Sequence, residues 1–293
     1  MKADMKKDYG NALPIKWSEL AYAGEQRLPS PVEKNTNTWP TFFFYRNTKG
    51  DFLDHNGKPI HWEIRSPDSI DFIHEELKKV QNTLLNLTQE QITIAEYWNA
   101  GPPTKQFTPL IDRLIDTYDI SAPRAARILG ACNAAANDAM IITWHFKYLW
   151  DIPRPNQLDH HLATIICTPY HPSYPSGHSV VAGCMQILLS YFFSPESKRL
   201  ITLAEECANS RLYGGVHFSI DNTEGLRLGR QIGSLIVNAL SEQIDNNLVA
   251  IDYQIIEDKK AILPPPPYKQ VISYPRDRTC SSLLDERQDP DAR

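Results

Sequence analysis

The chain has 293 residues, of which 42% are hydrophobic and 22% are charged, and its formal net charge is −5. This length allows a full hydrophobic core, and this composition excludes a wholly disordered or fibrous chain. The acidic balance disfavours nucleic-acid binding, because proteins that bind nucleic acids usually carry a basic face. The apolar segment from Val180 to Phe193 is too short and too interrupted to cross a membrane, so we expect no membrane contact.

The first residues and the cysteines bear on the cellular compartment. No apolar stretch follows the lysines at the start of the sequence, so we expect no secretory signal peptide and a cytoplasmic protein. The five cysteines are odd in number and form no C-x-x-C pair. This pattern suggests neither a disulfide framework nor a zinc site, and we expect reduced, buried thiols.

Three regions of the chain differ in character. Residues 1–65 mix Pro, Gly, Asn and aromatic residues without periodicity, and we interpret them as an irregular arm packed on the core. Residues 66–250 carry helical patterns and form the predicted catalytic domain. Residues 251–293 include four consecutive prolines at 264–267, and we expect an extended spacer there followed by a tail of about thirty residues.

Apolar spacing and helix-boundary residues predict a mainly α fold, a helical bundle, because strand signals are scarce. Ser66-Pro67 is a good helix start, and Thr88 with Gln91 forms a capping-box pattern. The predicted helices cover residues 66–87, 88–98, 108–118, 123–150, 178–193, 196–212 and 222–244.

The segment KYLWDIPRPNQ places two basic side chains near a helix end. Lys147 and Arg154 are seven residues apart, which is two helical turns, so both reach a common point. Two cationic side chains that reach the same point favour the binding of an anion there. Taken alone, the segment fits a solvated basic helix C-terminus better than an anion site.

The segment HPSYPSGHSVVAG leads into an apolar helix. The first backbone N–H groups of a helix have no partner within it, so Ser176, Gly177 and His178 form a helix start that receives anions. The alternative is that Ser176 acts only as an N-cap.

The segment SRLYGGVHFSIDN combines Arg211, a Gly-Gly turn, His217 and, four residues later, Asp221. A histidine that presents one ring nitrogen as a nucleophile or ligand needs an acceptor on the other, and Asp221 is placed to provide it. A structural histidine beside a turn is the alternative for this segment alone.

Together, the three segments resemble the signature of the superfamily that unites vanadium-dependent haloperoxidases, bacterial class A acid phosphatases and type 2 phosphatidic acid phosphatases. The motifs cover residues 147–221, and the similarity continues over residues 222–237. The resemblance implies a helical bundle that holds an oxyanion between its helices.

The resemblance also implies a cofactor and roles for the site residues. Vanadate is the implied cofactor, and phosphate fits the same site. Asp221 would orient His217, the metal ligand, while His178 would transfer protons and Lys147 would polarise the oxygen that a halide attacks. The implied oxyanion-binding residues are Lys147, Arg154, Ser176, Gly177, Arg211 and His217.

Two enzyme activities are compatible with this resemblance. The first is a haloperoxidase that uses hydrogen peroxide to oxidise halide, with bromide favoured, to a hypohalous-acid equivalent that modifies a small organic acceptor. The alternative is an acid phosphatase that works through a phosphohistidine, and a non-enzymatic phosphate or vanadate binder is third. We also expect a homodimer.

His171 favours the bromoperoxidase interpretation. It lies seven residues before His178, where the stretch resembles algal bromoperoxidases, which have histidine there, whereas fungal chloroperoxidases have phenylalanine. We therefore predict a catalytic role for His171. A surface histidine in a proline-rich loop is the alternative.

Overall fold

Long helices account for most of the chain between residues 77 and 241, which confirms the mainly α prediction. The computed structural model describes residues 15–273 and 280–283. The helices are α1 (Leu77–Leu85), α2 (Gln89–Trp98), α3 (Thr104–Thr117), α4 (Ala122–Trp150), α5 (Pro155–Leu158), α6 (Gly177–Phe192), α7 (Ser197–Tyr213) and α8 (Ser219–Ser241). Within the described residues, none of the helices combines the length and apolarity that crossing a bilayer requires.

The predicted helix over residues 66–87 is divided in the structure. A 3₁₀ turn, Pro67–Ser69, is followed by a π-helical turn, Phe72–Glu76, and only then by α1. The Asp71 carboxylate accepts from the backbone N–H of His74 at 2.9 Å, and this local cap competes with helix continuation. In contrast, the Thr88 capping box at the start of α2 is confirmed.

Between residues 15 and 65, the N-terminal arm contains two 3₁₀ turns, Trp17–Glu19 and Thr36–Thr38, and a short antiparallel hairpin of β1 (Tyr45–Arg46) and β2 (Phe52–Leu53). A buried carboxylate fixes the arm to α4. The Asp138 Oδ2 atom accepts from the backbone N–H groups of Phe42 at 3.0 Å and Phe43 at 2.8 Å. This contact satisfies a charge that burial would otherwise penalise.

Glycines allow α6 and α8 to pack with their backbones in contact. A Cβ at Gly229 would lie 2.0 Å from the carbonyl oxygen of Val180, and one at Gly183 would lie 2.6 Å from that of Leu226. No larger side chain fits at either position without moving a backbone. This approach brings the start of α6 against the start of α8, where the backbone N–H of Ser176 donates to the carbonyl of Asp221 at 3.0 Å.

The C-terminal region is more tightly attached than the predicted tail. Cys280 forms a disulfide with Cys167, and Thr164 pairs with Leu283 in an isolated β-bridge. The expectation of a tail is therefore wrong for residues 280–283, because covalent and backbone contacts fix them to the core. The rest of that prediction, residues 274–279 and 284–293, lies outside the described residues.

Candidate active site

Lys147 and Arg154 enter the site from the end of α4. Asp151, in the left-handed region with a φ of 55°, ends this helix and turns the chain towards Arg154. Both basic side chains are fully buried. The Lys147 Nζ atom donates to the carbonyls of Pro172 at 2.6 Å and Ser173 at 2.7 Å, and because an ammonium has three N–H groups, one is left for a ligand.

Arg154 joins the first segment to the other two. Its Nε donates to the carbonyl of His171 at 2.9 Å, and its Nη2 contacts the His171 Nδ1 at 3.0 Å. Its Nη1 donates to the carbonyl of Val216 at 2.6 Å and to the His217 Nε2 at 3.0 Å. Burial lowers the pKa of Arg154 below its ordinary value, yet guanidinium remains charged at neutral pH.

His217 and Asp221 form a buried pair at the start of α8. The chain reaches His217 through a turn after α7 in which Gly215 has a φ of 74°, and the His217 Nδ1 lies 2.8 Å from the Asp221 Oδ2. A carboxylate accepts, so Nδ1 carries the proton and Nε2 keeps its lone pair. Burial and the positive charge of Arg154 lower the pKa of His217 well below its usual range, which favours this neutral ring.

The second segment supplies the start of α6. Ser176 is the N-cap residue and is fully buried, and Gly177 begins the helix. The first-turn N–H groups of a helix point away from it and favour negative charge. The His178 Nε2 lies 3.1 Å from the carbonyl of Trp98, so Nε2 carries a proton and, in the neutral ring, Nδ1 has the lone pair. Burial lowers the pKa of His178, which favours that neutral ring.

Arg211, at the end of α7, is a buried cation with weak protein contacts. Its Nη1 and Nη2 atoms lie 3.5 and 3.4 Å from the Asn99 Oδ1, and its Nε, also buried, has no hydrogen-bond partner among the described residues. Burial lowers the pKa of Arg211 to about 10, so it stays protonated at pH 7. A buried guanidinium without a carboxylate is costly in the absence of an anionic ligand. This observation shows that the donor set fits an oxyanion.

The site opens into one cavity of about 650 Å³. The cavity wall includes five of the predicted residues, His171, Gly177, His178, Arg211 and His217. The other four predicted residues lie next to this wall inside the protein: Lys147, Arg154, Ser176 and Asp221. The structure therefore brings all the predicted site residues into one place. The outer part of the wall is largely apolar and includes Val32, Met140, Trp144 and Tyr170.

His171 is not a free surface histidine. It is partly buried in the cavity wall, its ring lies 4.8 Å from that of Trp144, and its Nδ1 and carbonyl both contact Arg154. Desolvation, followed by the charges of Lys147 and Arg154, lowers the pKa of His171 well below its usual range. The contacts make it a positioning residue for Arg154.

Two site residues escaped the sequence interpretation. The Ser173 Oγ donates to the Asp221 Oδ2 at 2.5 Å, and Asn99 contacts Arg211. Ser173 lies within the HPSYPSGH segment, three residues before Ser176. The sequence therefore shows its position in the motif but not its hydrogen-bond partner. Asn99 lies between α2 and α3, and local sequence carries no signal that this turn reaches α7.

The cysteine prediction is wrong for two of the five thiols. Cys167 and Cys280 form a disulfide across 113 residues of sequence, whereas Cys132, Cys184 and Cys207 are free and buried, as predicted. The pair has no local spacing signature because distant loops bring it together. Disulfides are typical of oxidising compartments, so this pair weighs against the cytoplasmic location.

The family model described as the PAP2 superfamily matches residues 126–245, which include every predicted site residue. The chain contains a PAP2 superfamily domain. This domain comprises most of α4 and all of α5 to α8, the helices that carry the site.

A curated relative is the vanadium-dependent bromoperoxidase of Corallina pilulifera, which is 35% identical over 103 residues. The match covers 26% of this chain and 17% of that protein. A similar match, at 34% identity, is found with the vanadium-dependent bromoperoxidase of Corallina officinalis. The chain therefore spans less than a fifth of the length of these relatives.

Solved structures show the same fold around the PAP2 domain. A bacterial vanadium-dependent iodoperoxidase superimposes with a TM-score of 0.59 at 20% identity, covering 80% of this chain and 63% of the other. The holo form of a bacterial vanadium-dependent chloroperoxidase gives 0.57 at 16% identity, covering 74% and 56%. At these identities the similarity concerns the fold alone.

Proposed function

We propose that this protein is a vanadate-dependent haloperoxidase that oxidises halide, preferentially bromide, with hydrogen peroxide. The observation that carries the proposal is the buried, partly unpaired Arg211 beside Lys147 and Arg154, opposite a histidine whose lone pair faces these cations. Vanadate is an anion that such a site neutralises. The two bromoperoxidase relatives are 35% and 34% identical over 103 residues, which supports the peroxidase proposal.

In this proposal the residues of the site have separate roles. Lys147, Arg154 and Arg211 would bind the oxyanion and balance its charge, together with the Ser176 hydroxyl and the N–H of Gly177. His217 would bind it through Nε2, because Asp221 already holds the proton on Nδ1. Vanadate, when bound, would supply the centre that activates hydrogen peroxide for two-electron oxidation of halide.

His178 is the proposed acid and base. Its neutral ring offers the Nδ1 lone pair, while the Trp98 carbonyl fixes the proton on Nε2 and the orientation of the ring. His178 would take a proton from incoming hydrogen peroxide. The outer cavity would admit the halide and a small organic acceptor.

The homodimer remains a prediction, which sedimentation analysis would test.

A phosphatase is the second candidate, because the same donors fit a phosphate ester. In that reaction the His217 Nε2 would attack phosphorus and form a phosphohistidine, and His178 would protonate the leaving alcohol before activating water. The superfamily that the three segments resemble includes acid phosphatases, and the PAP2 superfamily model matches the residues of the site, which supports this candidate as well. A simple binder would need the cations but not the two histidines.

The deciding experiment compares both reactions in one preparation. The protein is loaded with orthovanadate and assayed for bromination with bromide and hydrogen peroxide, and the vanadate-free protein is assayed for aryl phosphate hydrolysis. We expect vanadate-dependent bromination that His217→Ala abolishes and that His161→Ala, at an exposed histidine, leaves unchanged. Phosphate release without any bromination would favour the phosphatase.

The preference for bromide has its own test at His171. We expect His171→Ala to lower the rate with bromide more than the rate with iodide, because the ring lies in the cavity wall and orders Arg154. His171→Asn keeps a side-chain acceptor for Arg154 and serves as the matched control. Equal losses of rate with bromide and iodide in His171→Ala would show that His171 affects oxyanion binding and does not select the halide.

A further inference from the structure

The C-terminal segment Cys280–Leu283 forms part of the wall of the site cavity. Cys280, its disulfide partner Cys167 and Ser282 all line this cavity, together with His178 and His217. The cavity is therefore closed on one side by a segment that follows the helical domain by about forty residues. The disulfide is the covalent part of this attachment.

Hydrogen bonds complete the attachment at two other points. The Ser282 carbonyl accepts from the backbone N–H of Thr164 at 2.6 Å and from its Oγ1 at 3.0 Å. On the other side, the Ser281 Oγ donates to the carbonyl of Ala23 at 2.7 Å. The segment thus joins the N-terminal arm to the loop between α5 and α6.

That loop leads directly to the oxyanion-binding cations. Cys167 lies four residues before His171, whose ring and carbonyl both contact Arg154. Between them, the carbonyl of Pro169 accepts from the Tyr22 hydroxyl at 2.7 Å. The disulfide and the cavity wall are therefore joined by a short loop, while Arg154 has further contacts of its own with Val216 and His217.

We propose that the Cys167–Cys280 disulfide is a redox-sensitive closure that controls access to the active-site cavity. A dithiol reductant supplies two electrons and two protons, the S–S bond breaks to give two thiols, and the reductant becomes a cyclic disulfide. Release of the covalent link frees residues 280–283 from one of their attachments and widens the cavity. The oxyanion-binding residues keep their own contacts.

The other cysteines do not compete for the reductant or for reoxidation. Cys132, Cys184 and Cys207 are buried, and burial raises the pKa of Cys132 to about 12 and also raises the pKa values of Cys184 and Cys207. Their thiolates are therefore scarce at neutral pH. Cys167 and Cys280 are instead half-buried at the cavity surface, where a small dithiol reaches them.

The test measures access to the cavity histidines without any turnover. Wild-type protein is compared before and after reduction with dithiothreitol and desalting under nitrogen, and diethyl pyrocarbonate modification of each histidine is followed by mass spectrometry. We expect the modification rates of His171 and His178 to rise several-fold on reduction. His160 and His161 are exposed and act as internal controls whose rates stay constant.

A double variant, Cys167→Ser with Cys280→Ser, provides the matched control. We expect its cavity histidines to react at the high rate both with and without reductant. Unchanged rates in reduced wild type would overturn the proposal, as would a non-reducing peptide map without the Cys167–Cys280 link. A loss of helical circular dichroism on reduction would also overturn it, because the link would then hold the whole fold.

The readout is independent of which reaction the site performs. If bromination is absent, histidine modification still reports whether the disulfide limits access. If bromination is present, we expect reduction to lower KM for a bulky organic acceptor while the halide dependence stays the same.

Discussion

The His217 Nδ1 lies 2.8 Å from the Asp221 Oδ2, and that same oxygen accepts from the Ser173 hydroxyl and, at 3.1 Å, from the backbone N–H of Phe218. Three donors thus converge on one carboxylate oxygen. Burial raises the pKa of Asp221 to about 6, so the carboxylate is ionised at neutral pH and holds the imidazole proton on Nδ1. This contact fixes which ring nitrogen of His217 faces the cations.

Asp221→Asn should weaken oxyanion binding by about 10- to 100-fold, because a neutral amide no longer holds the His217 tautomer. Calorimetric titration with orthovanadate measures this change. Asp138→Asn is the matched control, since Asp138 is another buried carboxylate that binds backbone N–H groups away from the site. We expect Asp138→Asn to be less stable but to bind orthovanadate with unchanged affinity. Equal affinities in wild type and both variants would contradict the role of Asp221.

Arg211→Met should stabilise the ligand-free protein and remove stabilisation by vanadate. An unpaired buried guanidinium is costly, and an apolar side chain of similar length removes that cost, on the order of 1 kcal/mol or more. Thermal unfolding with and without vanadate measures both effects. Arg127→Met is the control, because Arg127 pairs with Asp252 outside the cavity, at 2.6 Å. A lower melting temperature in ligand-free Arg211→Met would show that Arg211 is a structural cation.

Gly229→Ala should destabilise the protein by several kcal/mol, roughly the range of other overpacked cores, because its Cβ would overlap the backbone of Val180. The same change at Gly130 is the control, since at this exposed position in α4 no atom of the described residues lies within 4 Å of an added Cβ. There we expect a gain of about 0.5 to 1 kcal/mol. Urea unfolding measures both, and similar losses at the two sites would contradict the close packing of α6 and α8.

His145→Phe should reduce the sensitivity of the fold to acid. Burial lowers the pKa of His145 to about 4, whereas an unfolded histidine titrates near 6.5. The unfolded chain therefore takes up the proton first, and stability is lost as the pH falls from about 6.5 to 4. Phenylalanine preserves the ring packing against Phe52 and Phe146 and does not titrate.

The measurement for His145 is the free energy of unfolding in urea at pH 7 and pH 5. Wild type should lose on the order of 2 kcal/mol more than His145→Phe over this interval, since each unit of pKa shift corresponds to about 1.4 kcal/mol. The other buried histidines titrate alike in both proteins. Parallel losses in the two proteins would show that His145 does not remain neutral in the fold.

The sequence by itself determined most of the helices, although it did not predict the division of residues 66–87. Apolar periodicity, the Thr88 capping box and the Gly-Gly turn are local signals, so the boundaries of α2, α4 and α8 agree with the prediction to within a few residues. The spacing of Lys147, Arg154, His217 and Asp221 likewise reflects local geometry. Residue type and order were sufficient to indicate an oxyanion.

Only the tertiary structure decided which distant groups meet. Asn99 reaches Arg211, Ser173 reaches Asp221, and Cys167 pairs with Cys280. The members of these pairs are 112, 48 and 113 residues apart in sequence. Such contacts depend on how loops close over packed helices, and no short-range pattern encodes a loop path. The helices were therefore predictable from local periodicity, whereas the cavity wall and its disulfide arise from the packing of segments far apart in the chain.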